Sequence, residues 1–139
     1  MTRRQQREEV LLLLFETEFK SDESYEEIFA LAAENREFTL EAGSYIKNVY
    51  FELLEHLEEI DATIGAAADG WKTSRMTRVS RNVLRIGAYE MMYREDIPAT
   101  VSINEAIELS KKFDDPKARA FVNGVLNKVK DMLAKESHD

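Results

Sequence analysis

Residues 101–129, VSINEAIELSKKFDDPKARAFVNGVLNKV, read as two amphipathic helices joined by a tight turn, and that reading decides the fold. Ser102 stands three residues before Glu105, so its hydroxyl can accept from the Glu105 amide while the carboxylate reaches back. This capping-box spacing predicts a helix opening at Ile103 and stopping near Phe113. Pro116 disfavours helical geometry at Asp115 and supplies the first turn of the next helix, where its missing amide hydrogen costs nothing. In that helix Ala118, Phe121, Val122, Val125, Leu126, Val129, Met132 and Leu133 recur at the spacings of a core-facing stripe. Gly124 interrupts the stripe at a cost of about 1 kcal/mol against alanine, which predicts a close approach of another helix there.

Working outward, Thr2 is placed to cap a first helix running to about Phe19, with Arg3, Arg4 and Arg7 in its first turns. Cations there oppose the helix dipole, so either a phosphate-contacting arm or a solvated basic end offset by Glu8 explains them. A second helix is expected after the Ser21-Asp22 break, with Ser24 and Glu27 as a capping box and Ile28, Phe29, Leu31 and Ala32 as its apolar side, ending near Asn35. Thr39 would cap a third, longer helix carrying Ile46, Val49, Tyr50, Leu53, Leu54, Leu57, Ile60 and Ile64. Asp69-Gly70 signals a turn, Trp71 opens an irregular link, and a fourth helix spans about Thr77 to Tyr93 before Pro98. No period-two alternation occurs, so the fold class is all-α.

A chain of 139 residues buries most of its apolar surface without staples. The absence of cysteine fits a reducing, cytoplasmic setting and excludes thiolate catalysis and sulfur-ligated metal centres. The apolar run Val10 to Phe15 is too short for a membrane span, and no signal-peptide cleavage pattern follows it. His56 and His138 are the only histidines, and His56 lacks the paired Glu-x-x-His motifs of a di-iron bundle. No phosphate-binding loop, dinucleotide fingerprint or nucleophile elbow is present, and no carboxylate pair sits in an apolar context. The expectation is a protein without catalytic activity, cofactor or metal.

Net charge is −8, which taken alone argues against binding nucleic acid. Its distribution reverses that. Residues 1–21 carry four basic and four acidic groups, residues 22–69 two and thirteen, and residues 70–139 thirteen and ten. A polyanion could be received on the basic segments while the acidic middle points elsewhere. Between Gly70 and Tyr89 lie Lys72, Arg75, Arg78, Arg81 and Arg85 and no acid. Arg78, Arg81 and Arg85 fall within a sector of about 60 degrees on the helix. The stripe is either a docking face for a protein or RNA partner or a solvated face with weak surface ion pairs.

The segments VSRNVLRIGAYEMMYREDIP (79–98), INEAIELSKKF (103–113) and FVNGVLNKV (121–129), with the arginine-rich start, resemble the NusB family of transcription antitermination factors over essentially the whole chain. The resemblance implies about six to seven helices packed as two helical subdomains, about 1–69 and 70–139, in one globular domain over 1–139, dividing near residues 65 to 75. It implies a factor that binds boxA RNA together with the ribosomal protein NusE, joins other Nus factors on RNA polymerase, and keeps transcription of ribosomal RNA operons processive. On this reading Arg3, Arg4 and Arg7 neutralise phosphates entering a groove lined by the Phe113 to Phe121 turn, where Lys112, Lys117 and Arg119 add charge. Phe15 and Phe121 either stack on bases or complete apolar stripes, and Asn123 either reads a base edge or satisfies nearby backbone. The family's protein-partner surface maps onto Arg75, Ser80 and Arg81. Some members carry an acid at the position of Ser80 and a carboxylate at that of Lys117, so both departures make this chain more basic. A homodimer would cover the RNA face. The alternative is a helical protein–protein adaptor whose basic face grips an acidic partner, with no RNA role.

Overall fold

Among the described residues the chain forms seven α-helices and one short 3-10 turn, where the apolar spacings predicted six helices. The computed structural model describes residues 1–36 and 44–136; Thr39 and His138, singled out above, lie outside the described residues. The helices are α1 (Arg3–Phe19), α2 (Tyr25–Arg36), α3 (Tyr45–Glu55), α4 (Leu57–Ala67), α5 (Arg78–Tyr93), α6 (Ala99–Phe113) and α7 (Pro116–Glu136), with the 3-10 turn at Thr73–Arg75. No described residue is in a strand. No described helix is long and apolar enough to cross a membrane. The chain divides into two compact units, Met1–Glu55 and His56–Asp139, so α4 groups with the helices that follow it.

In the first unit α1 packs against α2 and α3. Val10, Leu11, Leu13 and Leu14 of α1 meet Ile28, Phe29, Ala32 and Ala33 of α2 and Tyr45, Ile46, Val49, Tyr50 and Leu53 of α3 in a buried core. Leu31, expected on the apolar side of α2, is instead exposed, and Ala33 is buried in its stead. The stripe of α2 is therefore rotated, because the residues that reach α1 are those one helical turn from Phe29. Thr2 and Gln5 form a complete capping box on α1, and the Ser24 hydroxyl accepts from the Glu27 amide at 3.1 Å at the start of α2. Arg36, at the end of α2, staples it to α1 by ion pairs of 2.6 Å to Glu9 and 2.6 Å to Glu16. The Thr17 hydroxyl donates to the Leu13 carbonyl, so the Tyr50 hydroxyl, 2.6 Å away, is the donor in their shared bond. Burial pushes the Tyr50 phenol up to about 12.

The helix expected to run unbroken through Ile64 is two helices. His56, at φ −105° and ψ 19°, leaves helical geometry and its ring stacks on Tyr93 at 4.4 Å between centroids. The apolar positions Leu53, Leu57, Ile60 and Ile64 keep their spacing across the break, so periodicity could not reveal it.

In the second unit α5 packs against α4, α6 and α7. A Cβ at Gly87 would stand 2.8 Å from Leu126 Cδ1 and 3.5 Å from the Ala106 Cβ. Gly87 is therefore the glycine that permits close helix approach. Gly124, expected in that role, is exposed and a Cβ there meets nothing within 4 Å. The start of α6 also differs from expectation. The ladder begins at Pro98, whose carbonyl accepts from Val101 at 3.0 Å and Ser102 at 3.2 Å. Ser102 is already inside the helix, and its hydroxyl donates at 2.8 Å to the carboxyl of Glu90, which is fully buried on α5. A buried carboxyl oxygen needs a donor more than a solvated helix end needs a cap, so the tertiary contact takes the hydroxyl.

Two consequences are open to urea denaturation. Gly87→Ala should destabilise the protein by about 1 kcal/mol, an overpacking cost of about 1–3 kcal/mol partly offset by helix propensity, while Gly124→Ala should stabilise it by up to about 1 kcal/mol. Ser102→Ala should cost about 1.5–3 kcal/mol, the range for a hydrogen bond to a carboxylate, where loss of a solvated cap would cost about 1 kcal/mol or less.

Candidate nucleic-acid interface

The DDP turn between α6 and α7 is held by its own aspartates. The Asp115 carboxylate accepts from the Lys117 amide at 3.0 Å and the Ala118 amide at 3.2 Å, capping α7 with Pro116 as its first residue. Asp114 accepts from the Asp115 amide at 2.9 Å through one carboxylate oxygen and from the Ser80 hydroxyl at 3.0 Å through the other. Both acids of the turn are thus committed locally. Lys112 and Lys117 are exposed on either side of it, while Arg119 is half-buried. The Lys112 ammonium lies 5.6 Å from the Phe113 ring. Phe121 is half-buried, with its ring 5.5 Å from that of Trp71. These four sequence-predicted residues therefore flank one turn, Lys112 in the last turn of α6 and Lys117, Arg119 and Phe121 in the first turns of α7.

In the first unit Arg3 and Arg4 are exposed, whereas Arg7 is only 4% exposed. The Arg3 and Arg7 guanidinium carbons lie 4.3 Å and 5.7 Å from the centroid of the Tyr45 ring. Tyr45 was not among the residues the sequence singled out, yet it orders both arginines by cation–π contact. Phe15 is half-buried on α1.

The arginine stripe of α5 is largely spent on the fold. Arg85 makes a bidentate pair with Asp61 of α4, both bonds 2.8 Å, and a further bond to Asn82 at 3.1 Å. Arg81 reaches back to the carbonyls of Met76 at 3.0 Å and Thr73 at 3.3 Å. Ser80 is buried and turned to Asp114. Of the three residues placed on a partner surface, Arg75 is exposed, while Ser80 and Arg81 act within the unit. Trp71, which the sequence reading took only as the opening of a link, is a second residue given no binding role there. It is the one tryptophan of the chain and is 52% exposed beside exposed Lys72 and Arg75. The signal for it was an aromatic between cations.

No group of three His, Cys, Asp or Glu residues among those described is arranged to hold a metal ion.

The model of the NusB family matches residues 4–131. A curated relative, the transcription antitermination protein NusB of Ruminiclostridium cellulolyticum, is 42% identical over 129 residues, covering 93% of this chain and 88% of its own. The solved structure of T. maritima NusB superposes with a TM-score of 0.84 at 33% identity, covering 94% of this chain and 92% of the other. A crystal structure of the antitermination factors NusB and NusE in complex with double-stranded RNA matches with a TM-score of 0.81 at 28% identity, covering 95% of this chain and 99% of that one. A basic turn built on the motifs INEAIELSKKF and FVNGVLNKV, and a helical fold shared along almost its whole length, agree with these matches: the chain belongs to the NusB family.

Proposed function

We propose that this protein is a transcription antitermination factor. Together with ribosomal protein NusE it binds boxA RNA, joins other Nus factors on RNA polymerase, and promotes processive transcription of ribosomal RNA operons. The observation that carries this reading is the likeness, over 95% of the chain, to a NusB protein solved together with NusE and RNA. The local geometry supports it. Exposed Lys112 and Lys117 flank a turn whose carboxylates are held by the Ser80 hydroxyl and by backbone amides, so both ammonium groups are carried on a hydrogen-bonded scaffold. Arg3 and Arg4 supply a second basic element on the first unit. Phosphate contacts of this kind fix position, and bases are read by stacking and edge contacts.

Arg119 and Phe121 complete the RNA-binding set on α7, with Phe15 on α1. Arg7 holds the arm in place through Tyr45, and Arg75 stands at the edge of the protein-partner surface, beside Trp71, while Ser80 and Arg81 hold the surfaces around it. The function is binding without catalysis, exercised in the cytoplasm, with the two units acting as one RNA-binding domain.

Fluorescence anisotropy with a boxA-like single-stranded RNA and a scrambled control, with and without NusE and at several salt concentrations, tests this. Sequence-preferring binding strengthened by NusE is the expected result; NusE binding with no RNA preference would leave only the protein adaptor. Lys117→Ala should weaken binding and lower the log–log salt slope by about 0.7, the loss of one single-strand phosphate contact. Arg4→Ala should act on RNA affinity with little change in melting temperature, whereas Arg7→Ala should lower the melting temperature as well, because it removes a buried side chain from under Tyr45.

A further inference from the structure

Trp71 follows a turn in which two successive residues, Asp69 at φ 55° and Gly70 at φ 84°, adopt left-handed backbone. The turn is closed by bonds from the Gly70 amide to the Gly65 carbonyl at 2.8 Å and from the Trp71 amide to the Ala68 carbonyl at 3.0 Å. The indole is thus carried on an ordered segment, with Phe121 packed against it at 5.5 Å and a tilt of 59°. More than half of its surface still faces solvent. Ala68, Asp69, Gly70, Trp71, Lys72 and Arg75 line an open cleft of about 570 Å³. Lys72 and Arg75 are exposed, and neither pairs with a carboxylate among the described residues. The one acid in the cleft, Asp69, is held by Lys128 at 2.9 Å, which draws its carboxyl below the usual range and offsets its charge.

We propose that Trp71 and Phe121 form a base-stacking platform for single-stranded RNA, with Lys72 and Arg75 holding the phosphates of the nucleotides stacked there. A single exposed aromatic residue is ordinary on a protein surface. An indole on a hydrogen-bonded turn, backed by a second ring and flanked by uncommitted cations over a cleft, has the parts that sequence-tolerant RNA sites use: a π-face for the base and a positive groove for the backbone. An acidic peptide would satisfy Lys72 and Arg75 but offers no planar partner for the ring. The platform extends the RNA path from the α6–α7 turn, through Phe121, to the segment that precedes α5. It rests on the RNA-binding reading above.

Because Trp71 is the only tryptophan, its emission reports this site alone. Unlabelled boxA-like RNA is titrated while tryptophan emission is read, and the same RNA carrying a fluorophore is followed by anisotropy, each with and without NusE. The expected result is quenching that tracks the anisotropy rise, with affinity about tenfold weaker in Trp71→Ala, most of it regained in Trp71→Phe, and a shallower salt slope in the Lys72→Ala/Arg75→Ala double variant. An anisotropy rise with unchanged emission and a Trp71→Ala affinity within about twofold of the parent overturns the platform and leaves RNA binding standing. Quenching by NusE alone, with no further change on adding RNA, also overturns it and gives the indole to the protein partner. If anisotropy does not rise in any condition, the RNA-binding reading fails and the platform fails with it.

Discussion

The absence of a side chain at Gly87 is the constraint on which the second unit depends. It lets α5 approach α7 until a Leu126 methyl stands 2.8 Å from where a Cβ would be, and it brings the same point of α5 against Ala106 of α6. With α5 that close, its two ends meet opposite ends of α6: Ser80 reaches Asp114 after the end of α6, and Glu90 receives the hydroxyl of Ser102 in its first turns. The three contacts share one antiparallel register. A helix pair pinned by a polar contact at each end and by backbone proximity between them has little freedom to slide, since both polar groups would lose partners in a dry environment.

That register links the two surfaces proposed to bind. Ser80 belongs to the helix that carries the arginines, and Asp114 to the turn that presents Lys112 and Lys117. By donating to one carboxylate oxygen of Asp114, Ser80 ties the start of α5 to the turn that the lysines flank. Ser80 does its work inward, buried against that turn.

Charge must be counted by what it is already doing. The net charge of −8 conceals a basic second half, but the basic half in turn conceals arginines bound up in structure. Arg85 secures α4 to α5 through Asp61, and Arg81 ties the 3-10 turn to the start of α5. A guanidinium suits both uses, because its planar fork can satisfy a carboxylate or several carbonyls at once. Arg3, Arg4, Lys72, Arg75, Lys112 and Lys117 are among the cations that remain exposed, outside the core-facing stripes.

Local patterns were legible where the interaction itself is local. Thr2, Ser24, the Asp69-Gly70 turn and Pro116 at the head of α7 all depend on neighbours within about one turn, and each stands where the sequence put it. The sequence by itself also determined the helical class, the core stripe of α7 and the family motifs. Tertiary structure decided the rest, because a side chain with two uses takes the one that relieves the larger desolvation cost. Ser102 has the spacing of a cap but serves the buried Glu90, and Arg81 and Arg85 have the spacing of a docking stripe but satisfy carbonyls and a carboxylate inside the unit. Gly87 and Gly124 look alike in a helical sequence, and only the position of Leu126 tells which of them is needed. The ring partners of His56, at the helix break, and of Trp71 are long-range in the same sense: Tyr93 and Phe121 are dozens of residues away, and no periodicity encodes those contacts.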